Sequence, residues 1–122
     1  MEPYERFLAW RACHDLHLAL ATEVDGWPRG ERFELASQVR RAAWSAPANI
    51  AEGSAKRGNR EFRRYLDISL GSLAELSYAL RFAKDRKILS ESRFQELEAK
   101  RTLASKLTWG LYAKVRDSSG AE

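Results

Sequence analysis

Between Phe62 and Ala83, apolar and small residues recur with a rhythm that suits a helix. Phe62, Leu66, Ser69, Leu73, Leu76, Leu80 and Ala83 follow alternating steps of four and three. On a helix this spacing holds them on one seam, as in a bundle. On a strand the same residues would be divided between two faces. Beside the seam runs a second stripe: Tyr65, Ile68, Ser72, Glu75, Ala79 and Phe82. Two adjacent stripes require this helix, expected over 59–86, to meet more than one neighbour.

The rest of the chain can be read in the same period. A first helix is expected over 4–24, with Phe7, Trp10, His14, His17, Ala21 and Val24 facing inward. Asp25-Gly26-Trp27-Pro28-Arg29-Gly30 stops it. A second helix is expected from Glu31 to Lys56. Its inner stripe is Leu35, Val39, Ala42, Ala46, Ile50 and Gly53, small enough for a neighbouring backbone to come close. Pro47 lies inside this pattern and predicts a kink near 43–47. Gly58 offers a left-handed position in the next joint and Asn59 an N-cap. Gly71-Ser72, in mid-helix, suggests a close helix contact. Ser90 is expected to cap a fourth helix over 90–116, packed through Phe94, Leu97, Ala104, Leu107, Leu111 and Val115. Residues 117–122 are expected to fray. Short joints between four amphipathic helices predict one all-α domain over 1–122, an antiparallel up-down-up-down four-helix bundle.

Charge is concentrated in the middle of the chain. From Ser37 to Leu66 seven basic residues face only Glu52 and Glu61, a local excess of +5 in a chain of net +4. Such a field attracts polyanions. Lys56, Arg57, Arg60, Arg63 and Arg64 gather where the second and third helices join. Arg60 and Arg64, one turn apart, suit neighbouring phosphates. Tyr65 and Phe62 would stack a base only if exposed, and inward packing is the plainer reading. No run of apolar residues is long enough to span a membrane. The first residues, MEPYERFLAWRACHDL, lack a basic segment followed by an apolar one. A single cysteine, Cys13, permits no internal disulfide. A cytoplasmic protein is expected.

Other polar residues have structural explanations. A row on the second helix, Gln38, Arg41, Ser45, Asn49, Glu52 and Lys56, could line a groove or form a solvated face, with Asn49 and Glu52 serving groups freed at Pro47. Glu75 lies on a half-apolar stripe and calls for Arg40 or Arg41 as partner, because an unpaired buried carboxylate is costly. Its catalytic use would need a second group that the sequence does not supply. His14 and His17 are too few for a metal site. Cys13 has no base and acid partners outside its own turn. No catalytic residues and no cofactor are assigned. Four tryptophans exceed what one narrow core can hide. Trp44 and Trp109, off the inner stripes, suggest self-association.

The chain also resembles a known family. Trp10 with His14-Asp15-Leu16, then Trp27-Pro28, Glu31, Phe33, Leu35 and Gln38, match its first helix and the start of its second. The most specific block is Val39-Arg40-Arg41-Ala42-Ala43 followed by Pro47-Ala48-Asn49-Ile50-Ala51-Glu52-Gly53. Glu61-Phe62, Tyr65-Leu66 and Leu70-Gly71-Ser72-Leu73-Ala74-Glu75-Leu76 match the third helix. These motifs are similar to those of the 23S rRNA intervening sequence proteins. Gly58, where a serine is usual, and Cys13, where alanine is usual, depart from the pattern. The resemblance implies a bacterial cytosolic four-helix bundle that assembles into a ring-like homopentamer. Some members are encoded inside insertions in ribosomal RNA genes. A relative serving retroelement reverse transcription looks like a basic pentameric barrel that binds nucleic acid and a polymerase. The resulting expectation is a non-enzymatic homo-oligomer that binds RNA or another nucleic acid as an accessory factor. The alternative is a protein-binding scaffold without nucleic-acid activity.

Overall fold

The computed structural model describes residues 1–30 and 32–120. After a short 3-10 turn, Pro3–Arg6, come four helices: α1 (Leu8–Asp25), α2 (Phe33–Ser54), α3 (Asn59–Asp85) and α4 (Glu91–Gly120). No strand occurs among the described residues. Each helix packs on the next, and α4 returns to α1, which closes a four-helix bundle. Its core runs through Leu16, Leu20 and Val24 of α1, Val39 and Ile50 of α2, Leu66, Leu73, Leu76 and Leu80 of α3, and Leu97 and Ala104 of α4. Burying each leucine stabilises the fold by about 1.5–3 kcal/mol.

The seam on α3 is buried as expected from Leu66 to Ala83, with Phe62 half-buried at its start. Ser69 is also fully buried, and its hydroxyl donates to the Ala46 carbonyl at 2.8 Å. The inner stripe of α2 lies where expected from Val39 to Gly53, while at its start Ala36 is buried and Leu35 only half-buried. Its small residues let α3 approach: a Cβ on Gly53 would sit 2.6 Å from Tyr65 Cβ and 3.0 Å from Phe62 Cδ1. Pro47 is buried inside a single helix that continues to Ser54.

Several expectations need correction. Helix α1 starts at Leu8, not residue 4, because Pro3 opens a separate 3-10 turn and Phe7 is extended (φ −81°, ψ 125°). Its inner face is Ala9, Cys13, Leu16, Leu20 and Val24. Trp10, His14, His17 and Ala21 flank that face, half-buried. Leucines take the centre, while the rings sit where one edge stays wet. Glu31, the expected start of α2, lies outside the described residues, and α2 begins at Phe33. Asn59 is the first helical residue of α3. Gly58 occupies the cap position, with φ 85°, a conformation suited to glycine. Gly71 is exposed and a Cβ there would meet nothing within 4 Å, so it marks no close contact within the chain. On the second stripe of α3 Ala79 is buried, but Ile68, Glu75 and Phe82 are exposed.

The last joint is set by Lys87 (φ 61°) and by amide bonds from Ile88 and Leu89 to the Ala83 carbonyl. Ser90 caps α4, accepting from the Arg93 amide at 3.1 Å. Helix α4 continues to Gly120, beyond the expected end at residue 116; residues 121–122 lie outside the described residues.

Candidate nucleic-acid interface

The turn between α2 and α3 brings the cations of residues 56–64 to one end of the bundle. Lys56, Arg57, Arg60 and Arg64 are exposed; Arg63 is half-buried. On α3, Arg60 and Arg64 are separated by one turn and share the side opposite the Leu66–Leu73 seam. Arg64 pairs with Glu61 at 3.3 Å and lies over the Tyr65 ring at 4.7 Å. The hydrogen bond that Arg64 donates to Glu61 is the main influence raising the Arg64 pKa. Lys56 approaches the other side of this region, 5.6 Å from the Tyr65 centroid. Among the described residues, Lys56, Arg57, Arg60 and Arg63 have no carboxylate partner. Arg63 Nε is buried without a hydrogen bond. Its guanidinium borders an open cavity of about 460 Å³ with Arg60, Arg64 and Tyr112, which Glu61 and Asp67 also line.

The two aromatics near these cations are half-buried and make contacts within the fold. Phe62 packs into the core and against Phe7, with ring centroids 5.7 Å apart. The Tyr65 hydroxyl donates to Glu52 at 3.5 Å, and cations flank its ring.

Sequence reasoning missed two further cations at this end. Arg6, in the 3-10 turn, and Lys114, near the end of α4, border a cavity of about 370 Å³ together with Lys56. They lie dozens of residues from the basic segment. Arg6 comes close to it through the packing of the 3-10 turn on α2, and Lys114 through the packing of α4 on α3 and α1. The one available signal was their positive charge near the ends of the apolar patterns.

The polar row of α2 meets the second stripe of α3 and is satisfied there. Arg41 bonds Gln38 and reaches Glu75 at 3.4 Å. Glu75 is exposed, and Arg40 pairs instead with Asp25 at 3.1 Å. Ser72 donates to Ser45 at 2.7 Å, and Asn49 donates to the Ser45 carbonyl at 2.8 Å. The carbonyl freed by Pro47 belongs to Ala43, one turn upstream of the proline. Asn49 and Glu52 therefore bond elsewhere, to Ser45 and Tyr65.

The remaining candidates are packing groups. Trp10 stacks on His14 at 4.8 Å, and Trp44 meets His17 edge-on at 5.9 Å. Burial first, then the charge of His14, lowers the His17 pKa. No cluster of three metal-ligating side chains occurs among the described residues. Cys13 is buried with its sulfur 3.7 Å from Thr108 Oγ1, and desolvation pushes its thiol up to about 11. Such a thiol stays protonated and unreactive at neutral pH. Trp44 and Trp109 are exposed, the latter against Tyr112. No described helix is long and apolar enough to cross a membrane.

Fold and cationic corner together define a small helical-bundle protein with charge gathered at one end. The sequence model of the 23S rRNA-intervening sequence proteins matches residues 5–110, and the chain belongs to that family. No individually curated protein matches the chain.

Proposed function

We propose that this chain is a non-enzymatic, homo-oligomeric accessory protein of the cytoplasm that binds RNA through the corner between α2 and α3. One observation carries the reading: Lys56, Arg57, Arg60 and Arg63 converge at one end with no carboxylate partner among the described residues. Their charge is held by water and counterions, which a phosphate backbone displaces with a gain in entropy. The family's association with sequences intervening in 23S rRNA agrees with RNA as the polyanion.

Two finer features of the arrangement belong to this proposal. Contacts Arg41–Glu75, Ala46–Ser69 and Glu52–Tyr65 run in opposite order along α2 and α3, which supports an antiparallel bundle. Self-association is supported by large apolar side chains left in water: Trp44 is 64% exposed, Tyr78 70% and Trp109 56%. A ring, and five as the subunit number, come from the family resemblance.

Binding to a structured RNA, titrated with salt, tests the reading. Four phosphate contacts give a log–log slope of about −3. Reversing the charge at Arg60, Arg63 and Arg64 should flatten that slope. A slope indifferent to these changes overturns the proposal. The exposed aromatics favour one other reading, a protein-binding scaffold. It predicts one protein partner retained after nuclease treatment and no RNA.

A further inference from the structure

The cavity beneath the cationic corner has a composition unlike that of most of its neighbours. It is bordered by the 3-10 turn, the α2–α3 joint and the last turns of α4. Arg6, Lys56 and Lys114 supply three positive charges, and among the described residues no aspartate or glutamate lines it. None of the three has an ion-pair partner among the described residues. Other cavities with cations include their own neutralising groups: Asp25 with Arg40 near the α1–α2 joint, and Glu61 and Asp67 beside Arg60. The space between Arg32 and Arg86 also has no carboxylate among the described residues, but it measures only about 160 Å³.

The floor of the cavity is apolar. Phe7 and Phe62 are half-buried and border it, held at 53° to one another by the core behind them. Its volume of about 370 Å³ lies within the range of roughly 300–1,000 Å³ typical of small-molecule sites. Gly58 lies on the rim, with open space where a side chain would begin. An anion alone would use the cations and leave the aromatic floor wet; a neutral apolar ligand would leave three cations unmatched. A ligand that is flat and apolar on one side and anionic on the other satisfies both.

We infer that this cavity seats one unstacked nucleotide of a single-stranded RNA segment, with its base on Phe7 and Phe62 and its phosphate among Arg6, Lys56 and Lys114. The inference rests on the RNA-binding reading and adds the form of RNA recognised. Neighbouring phosphates cross Arg57 and Arg60 while one base turns into the cavity. Proteins that read RNA commonly do so at single-stranded loops, where bases are free to splay onto aromatic side chains. Stacking of one base raises affinity by roughly ten- to hundred-fold. A hairpin loop is therefore bound in preference to an unbroken duplex.

The full chain is titrated with a nucleoside monophosphate, the bare nucleoside and inorganic phosphate, followed by amide NMR. A hairpin RNA and a blunt duplex are compared in parallel. The monophosphate should shift the amides of Gly58, Phe62 and Lys114 and bind about tenfold more tightly than either fragment. Lys114→Glu and, separately, Arg6→Glu should abolish those shifts. Each should lower hairpin affinity about tenfold and change duplex affinity far less. Both positions are at the surface, and circular dichroism verifies that each variant is folded. Inorganic phosphate matching the monophosphate overturns the role of the apolar floor. Unchanged amides on adding the monophosphate, or a hairpin indifferent to both substitutions, overturns the inference. In either case hairpin binding that still weakens on charge reversal at Arg60, Arg63 and Arg64 leaves the corner reading intact. If neither RNA binds the unsubstituted chain, that reading falls as well.

Discussion

Replacing Gly53 with alanine probes the contact that sets the spacing of α2 and α3. The new methyl carbon would lie 2.6 Å from Tyr65 Cβ and 3.0 Å from Phe62 Cδ1. Unbonded carbons rest about 3.5–4.0 Å apart, so the overlap with Tyr65 is about 1 Å. Tyr65 Cβ is bonded directly to the backbone and cannot rotate away, so α3 itself must shift. Overpacking of this kind costs about 1–3 kcal/mol. Against it stands the gain from removing a helical glycine, about 1 kcal/mol. Gly110→Ala isolates that gain, because Gly110 is helical and exposed, with nothing within 4 Å of its missing Cβ. The two variants should therefore differ by the overpacking cost alone. Urea unfolding followed by circular dichroism, at one fixed protein concentration, should place Gly53→Ala about 1–3 kcal/mol below Gly110→Ala. In thermal melts the gap should be about 4–12 °C. If Gly53→Ala is as stable as Gly110→Ala, the close approach of the two helices is refuted.

Three further outcomes follow from other parts of the bundle. Burial raises the Cys13 thiol from 9.0 to about 11, so its neutral form favours folding below pH 9, and this contribution is lost as pH rises through 11. Over that window the native chain should lose about 3 kcal/mol more stability than Cys13→Ala, as read from urea midpoints at each pH; parallel curves would contradict it. Glu23 accepts from Arg93 Nε at 2.8 Å and Trp27 Nε1 at 3.0 Å, tying the α1–α2 joint to the start of α4. Glu23→Ala should cost about 2 kcal/mol, and adding Arg93→Ala should cost little more, whereas additive losses would show that the pair does not act together. Tyr78, 70% exposed, is one of the side chains on which self-association was proposed; Tyr78→Ala should leave the fold intact and loosen the oligomer in light scattering, and unchanged assembly excludes that position.

The sequence reveals helices best where apolar volume and period agree. On α3 the leucines occupy successive positions of one seam, and the buried face is the expected one. On α2 the alanines and Gly53 lie on the expected face too, and the close packing they allow is visible as the contact with Tyr65. On α1 the two signals separate. Trp10, His14 and His17 form a plausible stripe by spacing, but Cys13, Leu16 and Leu20 win the core because they bury no polar ring nitrogen. The capping role of Ser90 is legible because it depends on residues three apart. The role of Gly58 as a cap is not, because it depends on a positive φ that displaces Asn59 into the helix. Among the site residues, the cluster from Lys56 to Arg64 is local and therefore legible. Arg6 and Lys114 are not, since their neighbourhood exists only after the 3-10 turn has packed on α2 and α4 on α3 and α1.

The same contrast separates the two polar surfaces. By spacing alone, the α2 row from Gln38 to Lys56 is as good a binding groove as the corner. Its hydrogen bonds decide otherwise. Gln38, Arg41 and Glu75 form one group; Ser45, Asn49 and Ser72 form a second; Glu52 and Tyr65 close a third. A ligand entering that row must replace protein bonds with its own, and each exchange returns little net energy. At the corner, Arg57, Arg60 and Arg63 make no ion pair among the described residues, with Glu61 and Asp67 bordering the same cavity as Arg60 and Arg63 but not bonded to them. A polyanion displaces their counterions into bulk water and breaks no bond of the bundle. The two surfaces thus differ both in charge and in what binding would cost, and the one with unpaired cations, at the bundle's end, is the one we propose for RNA.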